Sequence, residues 1–275
     1  MSSITRTVLT VLVGAIVSVP AATREGAGTH RGLGMQDGAA LLRGPRLDPV
    51  AGIPMQHPRQ ESKVQLEQLG VAMRMFAAES PGQQYPPLNV RAGELSVEPR
   101  ALVPEYITNT SLFVSPAHPE ALQLKEQALR EPLSVIDDRS YWYLGYVLPD
   151  EDTGLVFLEA FKGAVKAGDA LDDDVAIGGF GTIYRLREGV ERAVIMDVNN
   201  PEAAREMQAR IPIMIERPGI QDGGSNVLYL DGHVEFIPYP GRFPMTNEFV
   251  EALRVLDAKK TRPGAEAPLS PESRR

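Results

Sequence analysis

Apolar and polar positions recur with two different periods along the chain, and each period predicts one type of element. Between residues 60 and 79 apolar side chains return at helical spacing, which predicts the clearest helix of the chain. The apolar face of this helix is formed by Leu66, Leu69, Met73 and Phe76. Further helices are predicted over 118–130, 155–166, 201–209 with Asn200 as its N-cap, and from 247 to about 256.

Short runs rich in aromatic and β-branched residues predict strands over 141–148, 182–186, 193–196 and 211–215. The runs 182–186 and 193–196 are expected to form a hairpin. A second hairpin is predicted over 226–237, where Asp231-Gly232 separates two apolar runs. Asp-Gly favours a two-residue loop in which both central positions have positive φ. The fold class is therefore α+β: a long N-terminal helix packed on an antiparallel sheet, with extra helices and a C-terminal Asp-Gly β-hairpin.

The N-terminal region has the order of a signal peptide. Arg6 precedes an apolar run over 8–19, and Pro20-Ala21-Ala22 follows it. The run is shorter than the ~20 residues that cross a bilayer, which favours cleavage near residue 22 over a short anchor. Residues 1–22 are thus predicted to be a signal peptide or short anchor, and we expect an exported protein of the periplasm, cell envelope or extracellular space.

The rest of the chain divides into a linker, a folded domain and a tail, according to where apolar residues recur at a regular period. Residues 23–59 are rich in Gly, Pro and Arg without either period, which predicts a disordered linker. The folded domain is predicted over 60–258, and the polar, Pro-rich residues 259–275 are predicted to be a disordered tail.

Composition excludes several classes of protein. The net charge of −8, without a basic cluster, opposes binding to nucleic acid. The absence of cysteine excludes disulfides, thiolate zinc sites and cysteine nucleophiles. With 25 glycines and 23 prolines the chain should contain many turns, which argues against a helical bundle.

Candidate chemistry is sparse. The four histidines lack the spacing of metal ligands on one helix face, and His233, beside the predicted turn, is interpreted as structural rather than as a catalytic base. Asp172, Asp173 and Asp174 could supply oxygen ligands to calcium, but a solvated acidic loop is the simpler interpretation because the ligand alternation of an EF-hand is missing. Without a nucleophile elbow, phosphate loop or dinucleotide motif, no enzyme is predicted.

Three segments resemble a known family. Residues 226–234 read Asn-Val-Leu-Tyr-Leu-Asp-Gly-His-Val, the helix contains Gln65-Leu66 and Gln68-Leu69-Gly70, and 103–107 reads Val-Pro-Glu-Tyr-Ile before Phe-Val-Ser-Pro at 113–116. These segments resemble bacterial prepilin-like proteins akin to the pseudopilins of type II secretion. That family carries a histidine, nine residues and then Asp-Gly. The corresponding signature positions here are Gln221, Asn226, Tyr229, Asp231, Gly232 and His233.

The chain departs from the family at three places. Gln221 stands at the position of the family's histidine, and Ser115 stands where many relatives have cysteine. The peptidase site Gly-Phe-Thr-Leu-Ile-Glu, which permits processing and filament assembly, is absent from the N-terminal region.

The resemblance implies a non-enzymatic structural or interaction protein of the cell envelope, without a cofactor and outside the filament itself. Its partners would be proteins of the envelope or of a secretion apparatus, with peripheral or anchored membrane association left open. One alternative is an exported soluble binding module for calcium, a glycan or a secreted partner. Another is an exported hydrolase without a recognisable motif.

Overall fold

The structure, a computed structural model, describes residues 58–90 and 93–260. The predicted signal peptide or anchor, the linker up to residue 57 and the tail from residue 261 lie outside the described residues. Among the described helices, none has both the length and the apolar character needed to cross a membrane. The described part is mixed α+β, as predicted.

Six α-helices are present in the described residues. They are α1 (Pro58–Glu79), α2 (Pro99–Leu102), α3 (Ala121–Arg130), α4 (Glu151–Ala167), α5 (Pro201–Gln208) and α6 (Asn247–Lys260). The predicted helix over 60–79 is confirmed, and it begins two residues earlier, inside the predicted linker. The predicted cap of α5 is also confirmed, because the Asn200 side chain accepts hydrogen bonds from the amides of Glu202 and Ala203.

Six strands form two antiparallel sheets in the described part. The strands are β1 (Tyr141–Tyr143), β2 (Val175–Ile177), β3 (Gly181–Ile183), β4 (Pro212–Glu216), β5 (Gly224–Tyr229) and β6 (Val234–Pro238). The main sheet has the order β1-β4-β5-β6, and β2 pairs with β3 in a separate ribbon. The hairpin predicted over 226–237 is therefore β5–β6, with Leu228 opposite Val234.

Two strand predictions are wrong. The predicted strand over 141–148 ends at Tyr143, because Gly145 turns the chain with a φ of +71°. The predicted hairpin between 182–186 and 193–196 does not form. Instead β3 pairs with β2, and residues 190–193 form a 3-10 helix that follows Gly189 at a φ of +75°. An apolar run of strand length does not show which segment it will pair with. In the folded protein β3 pairs with β2, which precedes it in the sequence, and not with 193–196.

Helix α1 packs on the main sheet through the predicted apolar face. Leu66, Leu69 and Met73 are fully buried, whereas Phe76 is half-buried against the ring of Tyr106 at 5.7 Å between centroids. Gly70 lets the helix approach closely, because a Cβ at this position would lie 3.1 Å from the side chain of Leu228 on β5. The close contact places α1 directly against β5, near the C-terminal end of that strand.

Two glycines of α4 should respond to alanine with opposite signs. A Cβ at Gly154 would lie 2.7 Å from the ring of Phe249 on α6, so G154A should lower the free energy of unfolding by about 1–3 kcal/mol. Gly163 is exposed with no atom within 4 Å of its added Cβ, so G163A should raise that free energy by roughly 0.5–1 kcal/mol. Urea unfolding of both variants tests the pair, and a shift of the same sign in both would contradict the α4–α6 packing.

Candidate functional site

The predicted signature residues separate into two groups along the β5–β6 hairpin. Gln221 and Asn226 lie near the base of the hairpin, whereas Tyr229, Asp231, Gly232 and His233 lie at its tip. The structure therefore does not gather the six positions into one site, and each group has its own contacts.

The group at the base surrounds a buried carboxylate that the sequence analysis missed. Glu216, the last residue of β4, is fully buried. The hydroxyl of Ser115 donates to its Oε1 at 2.6 Å, and the amide of Gln221 donates to its Oε2. The backbone N–H of Asn226 points to Oε2 at a longer distance of 3.5 Å. Gln221 and Ser115, two of the three places at which the chain departs from the family pattern, thus bind the same side chain.

Burial raises the pKa of Glu216 above its ordinary value, although hydrogen bonds from Ser115, the Asn226 amide and Gln221 act in the opposite direction. The desolvation of the charged form is the larger effect. A proton is consequently held more tightly by this carboxyl in the folded protein than in the unfolded chain.

The first turns of α1 reach the same region through Tyr141. This side chain, on the strand position paired with Glu216, donates its hydroxyl to Oε1 of Gln65 at 2.9 Å. The hydroxyl of Ser62 lies 3.4 Å from the Tyr141 hydroxyl. Burial raises the pKa of Tyr141 well above its ordinary value, so its hydroxyl stays protonated and remains a donor.

Arg59 extends the connection to β5 and β6. Its carbonyl accepts a hydrogen bond from the Asn226 side chain at 2.9 Å, and its Nε donates to Gln221 at 3.4 Å. Its guanidinium also lies over the ring of Phe236 on β6, 3.6 Å from the centroid. We call this set the Glu216 network. Its members are Arg59, Ser62, Gln65, Ser115, Tyr141, Glu216, Gln221 and Asn226.

The Glu216 network connects elements that are distant in sequence. It joins the start of α1 to β1, β4 and β5, and most of its side chains are buried. A buried carboxylate whose two oxygens are both occupied by donors is suited to holding these elements together. For an external molecule to reach Glu216, the contact between α1 and the sheet would have to open.

The tip of the hairpin has a different turn from the one predicted. The amide of Gly232 donates to the carbonyl of Tyr229 at 2.9 Å, and the amide of Tyr229 donates to the carbonyl of His233 at 3.0 Å. Gly232 has a φ of +92°, whereas Asp231 does not have a positive φ. The prediction of two central residues with positive φ is therefore wrong. The loop has three residues, a turn followed by a glycine bulge, which also suits Asp before Gly.

His233 is held by its neighbours at the tip. Its ring stacks on the ring of Tyr229 at 4.5 Å, and its Nδ1 lies 2.6 Å from Oδ1 of Asp231. Arg74 of α1 donates to the carbonyl of Asp231 at 3.2 Å, so the tip also contacts the long helix. These contacts are of the packing and hydrogen-bonding kind predicted for a structural His233.

Replacement of Gly232 with valine should lower the free energy of unfolding by about 2 kcal/mol, since a β-branched residue is strained at this φ. Its Cβ would also displace the guanidinium of Arg74. The matched control is Gly178→Val in an exposed loop, where the added Cβ meets no atom within 4 Å. Chemical denaturation should show a loss for G232V alone, and equal stability of the two variants would refute the turn assignment.

The acidic loop, which carries the three candidate calcium ligands and was interpreted as a solvated surface loop, is bound to arginines. The Asp174 carboxylate pairs with Arg187 at 2.8 Å and accepts the amide N–H of Arg185 at 2.8 Å. Burial alone would raise the pKa of Asp174, but these hydrogen bonds outweigh it and lower the pKa. Asp172 and Asp173 use their backbone carbonyls instead, which accept from Arg185 and Tyr146. Over 58–90 and 93–260, no three acidic or histidine side chains form a cluster suited to a metal ion.

Comparison of the chain with protein-family models, curated proteins and solved structures gives no significant match. The resemblance to prepilin-like proteins therefore rests on the residues quoted from the sequence.

Proposed function

We propose that the chain is a non-enzymatic structural or interaction protein of the cell envelope, related in design to the pseudopilins of type II secretion. In this proposal α1 is the supporting helix of a pilin-like domain, and the β5–β6 hairpin completes the sheet beneath it. Proteins of the envelope or of a secretion apparatus would be its partners.

The observation that carries the proposal is the connection between α1 and the sheet. A helix of 22 residues lies on an antiparallel sheet, and its first turns are bound through the Glu216 network to signature positions Gln221 and Asn226. A role in fixing the helix to the sheet explains why these positions would carry a family signature without forming an open cleft.

The outward face of α1 supports an interaction role. Val64, Val71 and Met75 stand at positions that share one side of the helix, away from the buried face. Val71 is 50% exposed and Met75 is 52% exposed. Apolar side chains that line one exposed side of a helix are typical of helix-mediated protein contacts.

The experiment is formaldehyde crosslinking in cells of the native host, followed by detection of the full-length chain. We expect crosslinked species for the natural protein and for Val198→Glu, and their loss for Val71→Glu, since glutamate disrupts an apolar contact without adding an amine that formaldehyde can crosslink. Val198 is the matched control because its exposure, 53%, equals that of Val71 within a few percent while it lies outside the helices. Both substitutions should change stability by less than about 0.5 kcal/mol, because each replaces an exposed side chain.

If neither the natural protein nor the variants gave crosslinked species, the interaction role would be wrong. Retention of the same species in Val71→Glu would instead exclude the outward face of α1 as the contact surface.

A further inference from the structure

A small cavity lies beside the tip of the β5–β6 hairpin. Its volume is about 140 Å³, and charged residues from α1, the 187–191 segment and the hairpin tip line it: Arg74, Arg187, Glu188, Glu191 and Asp231. The Glu216 network does not contribute to this cavity, so its chemistry is independent of the network.

Glu191 has an unmatched oxygen in this region. The residue is only 4% exposed, and its Oε2 has no hydrogen-bond partner among the described residues. Glu188, by comparison, accepts the hydroxyl of Tyr85 at 3.3 Å. A buried carboxylate oxygen without a donor is costly and uncommon, and a missing ligand is one of its ordinary explanations.

The charges around the cavity favour a cation. Three carboxylates and two guanidiniums line it, but the guanidinium of Arg187 is already paired with both oxygens of Asp174, at 2.8 and 3.2 Å. Arg74 donates to the Asp231 carbonyl. Negative charge is therefore in excess, and a positively charged group would supply the donor that Glu191 lacks.

The size and shape of the site point to one class of cation. Calcium would require six to eight oxygen ligands, which the described residues do not bring together. A primary ammonium group is compact and has three donors, and it can satisfy one carboxylate oxygen and a nearby carbonyl at once. A cavity of this volume holds an alkyl chain of a few carbons behind such a group.

We propose that this cavity is a binding site for the primary ammonium group of a small molecule, with Glu191 as its main acceptor. The ammonium could belong to a simple amine or to a zwitterionic amino acid, whose carboxylate would be placed towards Arg74. The inference does not depend on the envelope function proposed above.

The test is a titration of the full chain with n-propylammonium chloride and, separately, with glycine, followed by NMR or calorimetry. We expect saturable binding with a Kd of around 1 mM for at least one probe, a value usual for so small a ligand. Binding of n-propylammonium alone would identify a simple amine, whereas binding of glycine would identify a zwitterion held also by Arg74. The Glu191→Gln variant should bind at least about tenfold more weakly.

Glu159→Gln, which changes an exposed carboxylate on α4, is the matched control and should bind like the natural protein. The probe should also raise the urea midpoint of the natural protein and of E159Q by equal amounts and that of E191Q by less, because the stabilisation from a bound ligand falls as its Kd rises. Without a probe, E191Q should be at least as stable as the natural protein, since it replaces a carboxyl group whose Oε2 has no hydrogen-bond partner among the described residues. Failure of both probes to saturate, or equal binding by E191Q and E159Q, would overturn the proposal.

Discussion

Replacement of Glu216 with alanine is expected to lower the free energy of unfolding by about 3 kcal/mol or more. The variant removes the acceptor of the Ser115 hydroxyl and the Gln221 amide, and both donors are buried. It also leaves a cavity beneath the first turns of α1. Urea denaturation followed by circular dichroism measures the loss directly.

The matched variant is Glu216→Gln, which keeps the shape of the side chain and one acceptor oxygen. Burial raises the pKa of Glu216 above its ordinary value of 4.5, so the folded protein binds the carboxyl proton more tightly than the unfolded chain does. Proton binding therefore stabilises the natural protein fully below pH 4.5, and this stabilisation is lost as the pH rises through the raised pKa. The stability of E216Q relative to the natural protein should therefore increase over this pH window, by about 1.4 kcal/mol for each unit of pKa elevation. A difference between the two that stays constant with pH, or that falls, would show that Glu216 is not a desolvated carboxyl.

Replacement of Gly224 with alanine is the second change with a large expected effect. A Cβ at this position would lie 2.2 Å from the carbonyl oxygen of Ile237 on β6. Because the neighbouring atom belongs to the backbone, only separation of β5 from β6 can relieve the contact. We expect a loss of about 3 kcal/mol or more in the free energy of unfolding, or a chain that does not fold.

The next residue on the same strand supplies the control. Ser225 is fully buried, and its hydroxyl has no hydrogen-bond partner among the described residues. Ser225→Ala should therefore leave stability unchanged or raise it by up to about 1 kcal/mol, because it removes an unsatisfied polar atom. A large loss of stability in S225A together with a small loss in G224A would contradict both the close approach of Gly224 to the Ile237 carbonyl and the lack of a partner for the Ser225 hydroxyl among the described residues.

Sequence patterns predicted the elements that depend on nearby residues. Helix α1 was predicted from its apolar face, and α5 was predicted with its cap at Asn200 because capping involves residues two and three positions away. The β5–β6 hairpin was predicted from alternation around Asp231-Gly232. Its turn type was not, because Asp before Gly is compatible with both a two-residue loop and a glycine bulge.

The strand partners and the candidate site could not be predicted from local sequence patterns. The pairing of β2 with β3 replaced the predicted partner of 182–186, since pairing depends on which segments tertiary packing brings together. Gln221 and Asn226 were identified through the resemblance, but their common partner Glu216 was missed. Ser115 and Glu216 are 101 residues apart in sequence, and no local pattern links them. The only sequence signal for the site was Glu216 itself, a charged residue directly after the apolar run 211–215.

N-terminal sequencing of the native protein, combined with cell fractionation, tests the central claim of an envelope protein most directly. The proposal predicts that the chain is found in the envelope or extracellular fraction, either with a mature N-terminus near residue 22 or 23 or intact in the membrane fraction. Recovery of the chain in the cytosol with its first residues intact would contradict it.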